Sequence, residues 1–253
     1  MARYKLTIEY DGSAFCGWQS QANGGAVQDA LTNAIEAFCG ERVVVYGAGR
    51  TDAGVHALGQ TAHIDLTRRH NPDVIREAVN FHSRPLPVSV LSVTPTADDF
   101  DARFSARRRD YRYRIINRRA RLSVELGQAW HVSTPLDINV MNSAAQCLVG
   151  QHDFTTFRSS CCQARSPVKT LDAITVQQTN DSIVIECQAR SFLHHQVRSM
   201  VGSLKMVGSG KWPEATLAQA LKVQDRTACG PVAPAEGLYL VAVSYGDVSA
   251  PAK

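Results

Sequence analysis

Residues Gly47 to Ala57, reading Gly-Ala-Gly-Arg-Thr-Asp-Ala-Gly-Val-His-Ala, hold the densest cluster of chemically capable groups in this 253-residue chain. A glycine-rich turn after a strand lets backbone approach a ligand closely. This one carries a carboxylate, Asp52, two residues after an arginine, Arg50. A carboxylate so placed can serve as a nucleophile or steady positive charge at carbon. Familiar readings of such a turn fail. The Lys-Ser/Thr of a P-loop is missing, and the glycine spacing and following strand do not suit a dinucleotide-binding turn. Nor is Thr-Asp-Ala the Asp-Thr/Ser-Gly of an aspartic protease. Composition alone leaves an Asx turn former as the commoner reading of Asp52, and gives His56 less claim to a role.

The remaining composition narrows the chemistry. The seven cysteines, Cys16, Cys39, Cys147, Cys161, Cys162, Cys187 and Cys229, are odd in number and scattered, without a CxxC pair or a histidine at zinc-finger spacing. Reduced thiols and no structural metal are expected, and the adjacent Cys161 and Cys162 receive no role. Net charge is only +4, yet nine arginines stand against one acid, Asp110, from Arg103 to Arg121. The rest of the chain is therefore net acidic. No apolar run reaches the ~18 residues of a membrane span, and Met1-Ala2-Arg3-Tyr4-Lys5 leads directly into strand-like sequence rather than a signal peptide. A cytoplasmic soluble protein is expected.

The elements that must position Asp52 are legible in outline. Tyr4, Leu6, Ile8 and Tyr10 alternate with polar residues, the period of a half-buried strand. Val27, Ala30, Leu31, Ala34, Ile35 and Phe38 recur at helical spacing, with Gly40 placed to cap. Arg42 to Tyr46 reads as a strand into the turn, Thr61 to Leu66 as a strand, Pro72 to Asn80 as a helix and Val88 to Val93 as a strand. The order β, α, β, β, α, β is that of a ferredoxin-like split βαβ unit.

Further on, strands are expected at Tyr111 to Ile116, Ala129 to Val132, Ala173 to Gln178, Ile183 to Ala189 and Leu238 to Val243, with helices at Asp137 to Leu148 and Pro213 to Val223. Val197, Met200, Val201, Leu204 and Val207 have the spacing of a buried helix face. The fold class expected is α+β, with two similar ferredoxin-like halves sharing a mostly antiparallel central sheet and a cleft between them.

The segment Gly47 to Gln60, GxGRTDxGVHAxxQ, resembles the central motif of the TruA family of tRNA pseudouridine synthases. Other blocks resemble that family in the same order: Tyr10 to Gln19, Ala102 to Ala106 leading to Tyr111-Arg-Tyr113, Gly150 to Phe154, Ser166 to Thr170, Phe192 to Gly202 and Gly230 to Leu240. Small departures occur at Asp101, where His is frequent, at Val232, where Thr is frequent, and in a slightly longer loop at Phe81 to Pro85. None touches the carboxylate.

The resemblance implies an isomerase that converts uridine to pseudouridine at positions 38, 39 and 40 of the tRNA anticodon stem-loop, acting as a homodimer without metal or organic cofactor. It implies Asp52 as the catalytic nucleophile and Arg198 as the cation that keeps Asp52 ionised in a desolvated pocket. Arg50 then assists base flipping, and Tyr111 contacts the displaced uracil. Residues 1–104 would form the half carrying the catalytic Asp, and residues 105–253 the half carrying the tyrosine and the arginine partner. On a strand, Arg107, Arg109, Tyr111, Tyr113 and Ile115 share one face, with Tyr113 read as core. Arg107, Arg109 and Arg112 are expected on the RNA backbone, where phosphate contacts give sequence-independent attraction; a solvated edge strand is the plainer alternative. A non-catalytic tRNA-binding or chaperone protein on the same fold is the alternative for the whole chain. Glycoside hydrolysis or base excision is another, and would need an activated water.

Overall fold

The alternation at the start of the chain buries Tyr4, Leu6, Ile8 and Tyr10 on one face of a strand, β1 (Ala2–Tyr10). The computed structural model describes residues 1–246. It divides them into two compact units, Met1–Arg107 together with Tyr239 onward, and Arg108–Leu238. The last strand thus groups with the first unit, whereas the sequence reading divided the chain after residue 104 and kept its end with the second half.

In the first unit, β1 is followed by α1 (Val27–Cys39), β2 (Tyr46–Gly47), β3 (His56–Leu66), α2 (Pro72–His82) and β4 (Val88–Pro95). Helix α1 buries Val27, Ala30, Leu31, Ala34 and Ile35 and ends at Gly40, whose left-handed φ of 74° a side chain would resist. Its N-terminus is tied by the Asp29 carboxylate, which accepts from Ala26 N–H at 3.2 Å. Helix α2 opens with Asn71 as cap and Pro72 in its first turn, and buries Ile75 and Val79.

Strand β1 is the centre of this unit's sheet, antiparallel to β3 on one side and to β4 on the other. The opposite edge of β3 is shared. Short β2 pairs antiparallel with His63 and Ala62, and β10 (Leu238–Ser244) pairs parallel with His56 and Ala57. The order β4-β1-β3-β2 is that of a split βαβ unit.

In this unit two elements differ clearly from the sequence expectation. Arg42 to Val45 forms no ladder, and the strand is reduced to Tyr46–Gly47. Side chains of α1 take its carbonyls instead: Gln28 Nε2 donates to Val45 O at 3.0 Å and Thr32 Oγ1 to Val43 O at 3.3 Å. In the other direction, β3 starts five residues before the expected Thr61, at His56.

The second unit contains β5 (Arg108–Asn117), β6 (Trp130–Val132), α3 (Ile138–Ala145), β7 (Gly150–Asp153), β8 (Val168–Thr179), β9 (Ser182–Ala189), α4 (Gln196–Gly208) and α5 (Ala215–Val223). A 3-10 turn, Gln146–Leu148, continues α3 to the expected end. Strands β5, β9, β8 and β7 form an antiparallel run in that order, and β6 adds to β5 in parallel. The succession β5, α3, β8, β9, α4 repeats the order and pairing of β1, α1, β2, β3, α2. Helix α4 buries the expected Val197, Met200, Val201, Leu204 and Val207, together with Ser199, Gly202 and Ser203 on the side where residues near Gly230 dock. Gly230 N–H donates there to Ser203 Oγ at 3.0 Å. The class is α+β with mostly antiparallel pairing. Among the described residues, no helix is long and apolar enough to cross a membrane.

Candidate active site

Asp52 sits on the turn between β2 and β3, half-buried, and its neighbours are fixed from several directions. The turn closes on itself through Val55 N–H, which donates to Asp52 O at 3.1 Å. Gly54 makes this closure possible with φ of 78°. The entering strand is tied to the leaving one: Ala48 N–H donates to Thr61 O at 2.7 Å, and Gln60 Nε2 to Gly49 O at 2.9 Å. Gln60 therefore holds the start of the turn from the strand that follows it.

The segment after β1 completes the cradle. The hydroxyls of Tyr10 and Thr51 are 2.8 Å apart in a buried bond, and Trp18 N–H donates to Thr51 O at 3.0 Å. The Trp18 indole lies so close over Gly47 that a Cβ there would stand 2.5 Å from the ring. Past Tyr10, Gly12 packs directly on Val55; a Cβ at Gly12 would stand 2.1 Å from the Val55 carbonyl oxygen. Gly12 N–H donates to His56 Nδ1 at 3.1 Å, and the same nitrogen is 3.1 Å from Asp11 Oδ1. The His56 ring, buried at the start of β3, stacks on Tyr239 of β10 with centroids 4.6 Å apart. Burial alone would raise the Asp11 carboxyl, but hydrogen bonds from the Ser13 hydroxyl and N–H, with His56 alongside, hold it below the usual carboxylate range. Arg50, on the same turn, is exposed.

Tyr111 and Arg198 both belong to the second unit. On β5, strand alternation places Arg109, Tyr111, Tyr113 and Ile115 on one face, with Tyr111 half-buried and the others buried. The Phe192 ring meets Tyr111 edge-on, at 5.1 Å and 86°. Tyr113 donates its hydroxyl to Pro234 O at 2.8 Å, and burial pushes its pKa up, so it is a core tyrosine. Arg198 lies in the first turn of α4. Its Nε donates to Ala233 O at 2.8 Å, and Ala233 N–H returns a bond to Arg198 O at 3.1 Å. This reciprocal pair fixes the guanidinium stem.

A family model described as "tRNA pseudouridine synthase" matches residues 6–105 and 144–246. A tRNA pseudouridine synthase A of Parvibaculum lavamentivorans is 59% identical over 97% of this chain and 100% of its own length. Proteins of the same name from Rhodopseudomonas palustris (strain HaA2) and Maricaulis maris are 60% and 56% identical over 97% of this chain, covering 100% and 98% of their own lengths. The chain belongs to the tRNA pseudouridine synthase family. Its activity is that of an isomerase of this family, and both Asp52 and Arg198 fall within the matched segments, whereas Tyr111 falls between them.

A pseudouridine synthase must hold RNA, and the arginine-rich segment supplies less exposed charge than its local count suggests. Arg108 pairs with Asp110 at 2.9 Å, Arg112 with Glu186 at 2.8 Å, Arg118 with Asp181 at 3.0 Å and Arg114 with Glu125. Arg109, expected on the RNA backbone, is 8% exposed, and its guanidinium donates to the Arg190 carbonyl, so little of it faces solvent. Arg112 is different, because an ion pair as open as the one with Glu186 is worth little and exchanges readily. Arg107 is exposed, and its backbone N–H donates to Ser244 O at 2.8 Å.

Sequence reasoning missed the supporting roles of Tyr10, Asp11, Gly12 and His56. The signal was present in the block from Tyr10 to Gln19, whose glycine and aromatic residues are those that wrap the Asp52 turn. Phe192 and Ala233 also stand in family-like blocks, Phe192 to Gly202 and Gly230 to Leu240, but which side chains they hold is a matter of tertiary contact. The seven cysteines are free thiols. Burial pushes Cys187 up to about 12, which makes it unreactive.

Proposed function

We propose that this chain isomerises uridine to pseudouridine at positions 38, 39 and 40 of the anticodon stem-loop of tRNAs, with Asp52 as the nucleophile. The observation that carries the reading is the Asp52 turn: its flanking residues Thr51 and Val55 are each held by residues of the Tyr10 to Trp18 segment. Enzymes gain rate by holding a reacting group in fixed geometry, and a surface Asx turn would need no such cradle.

In the reaction the bond from ribose C1′ to N1 breaks, uracil turns, and C1′ joins C5. N1 gains a proton and the C5 proton leaves, so no oxidant, reductant or phosphoryl donor enters. A carboxylate suits the anomeric carbon without metal or organic cofactor. Arg198, Arg50 and Tyr111 serve the substrate: Arg50 helps displace the base, and Tyr111 takes the uracil face or assists at C5. Tyr111 is suited to this by its half-buried ring, braced edge-on by Phe192. Arg107 and Arg112 contact the tRNA backbone. The protein acts in the cytoplasm as a homodimer.

The test is incubation of purified protein with an unmodified tRNA transcript, followed by mapping of pseudouridine through carbodiimide-dependent reverse-transcription stops. New stops on the 3′ side of the anticodon arm are expected with wild type and not with Asp52→Ala. Salt-sensitive tRNA binding without stops would favour a non-catalytic tRNA-binding protein instead.

A further inference from the structure

We infer that His56, together with Asp11, is a positioning residue that sets the geometry of the Asp52 turn; the inference rests on Asp52 being the reacting carboxylate. His56 is 3% exposed, and Nδ1 is the meeting point of the Gly12 N–H and the Asp11 carboxylate, each at 3.1 Å. Its ring cannot slide away, because Tyr239 stacks on it at 4.6 Å and 20°.

The link from His56 to Asp52 runs through backbone. Tethering Gly12 to His56 presses the 3-10 turn Gly12–Ala14 onto the Val55 carbonyl, at a distance that leaves no room for a side chain on Gly12. Val55 N–H in turn closes the Asp52 turn. Ser13 N–H and Oγ, at 2.9 Å and 2.7 Å from Asp11 Oδ1, fix the carboxylate that shares His56 Nδ1. His56, four residues after the nucleophile, thus acts on the C-terminal side of the turn through Gly12, which packs on the Val55 carbonyl. With Nδ1 accepting from the Gly12 N–H, this buried hydrogen bond rigidifies the backbone that carries it.

Replacement by leucine keeps the bulk of the ring and removes Nδ1. Replacement by asparagine restores a polar atom close to the Nδ1 position, able to accept from Gly12 or donate to Asp11. A displacement of the nucleophile by a fraction of its reach costs up to about a hundredfold in rate. His56→Leu is therefore expected to lower kcat by roughly 30- to 100-fold with KM for tRNA within about twofold, and His56→Asn to recover most of that loss.

Hydrogen exchange on the free protein supplies a readout independent of activity. In His56→Leu the Val55 amide should exchange at least about tenfold faster, while the β1 amides keep their protection; in His56→Asn the Val55 amide should stay protected. Unchanged kcat and Val55 exchange in His56→Leu would overturn the inference. So would an equal loss in both variants, or a loss of protection spread through β1 and β3 alike. Absence of pseudouridine with the wild-type protein would overturn the catalytic reading instead, and Val55 exchange would still decide whether His56 holds the turn.

Discussion

The Tyr10 and Thr51 hydroxyls meet at 2.8 Å inside the first unit, joining the last residue of β1 to the residue immediately before Asp52. Removing this bond leaves the Thr51 hydroxyl buried without the phenol. Tyr10→Phe should lower unfolding free energy by about 1 kcal/mol and kcat by about tenfold, with KM unchanged. Denaturant unfolding and steady-state kinetics check the two effects separately. A stability loss with kcat intact would show that the bond serves the fold alone.

The arginine segment separates into buried and accessible members, and salt dependence distinguishes them. Arg107→Ala should weaken tRNA binding several-fold and reduce the slope of log affinity against log salt by about 0.7 to 0.9, the value for one phosphate contact. Arg109→Ala should leave that slope unchanged while lowering Tm, because its guanidinium is enclosed and bonded to Arg190 O. Filter binding across a salt series and thermal unfolding provide both readings.

Arg3 grips the Asp65 carboxylate at 2.8 Å and 2.7 Å, pairing the start of β1 with the end of β3. The Arg3 hydrogen bond outweighs burial and holds the Asp65 carboxyl below its ordinary value of 3.8. A depressed folded pKa means stability that is complete above the unfolded value and lost as pH falls through the folded one. Asp65→Asn should therefore cost about 1 kcal/mol at neutral pH, and its Tm should converge with wild type only in strong acid. A difference that persists undiminished below both pKa values would contradict the ion-pair origin.

Much of the scaffold follows from local pattern, and the departures have tertiary causes. The alternation in β1, the helical spacing of α1 and Gly40 each encode an element in a few neighbouring residues. Arg42 to Val45 has a strand's composition, but Gln28 and Thr32 of α1 take its carbonyls, which no local pattern announces. The reach of β3 back to His56 was hidden because the same residues form part of the glycine-rich motif. The parallel pairing of β10 with β3 in the first unit is only two residues long, Tyr239 with His56 and Leu240 with Ala57, far too short to leave a periodic signal.

The chemistry was legible to a different degree. Asp52 and Arg50 stand in one uninterrupted motif, whereas the meaning of the arginines depends on acids remote in sequence. Glu186 and Asp181 lie more than sixty residues from Arg112 and Arg118, so a count over the segment overstated its free charge. The cradle around Asp52 was visible only as two separate family-like blocks, Tyr10 to Gln19 and Gly47 to Gln60, until the fold brought them together.

The most direct test replaces Asp52 with asparagine, which keeps the shape of the side chain and removes its charge and nucleophilicity. Product is read as pseudouridine by nucleoside mass spectrometry after prolonged incubation with excess enzyme, and tRNA affinity is measured in parallel. The account predicts no pseudouridine from Asp52→Asn, with tRNA bound within about threefold of the wild-type affinity, since phosphate contacts supply most of the binding. Pseudouridine formed by Asp52→Asn at a rate near wild type would contradict the assignment of Asp52 as the nucleophile.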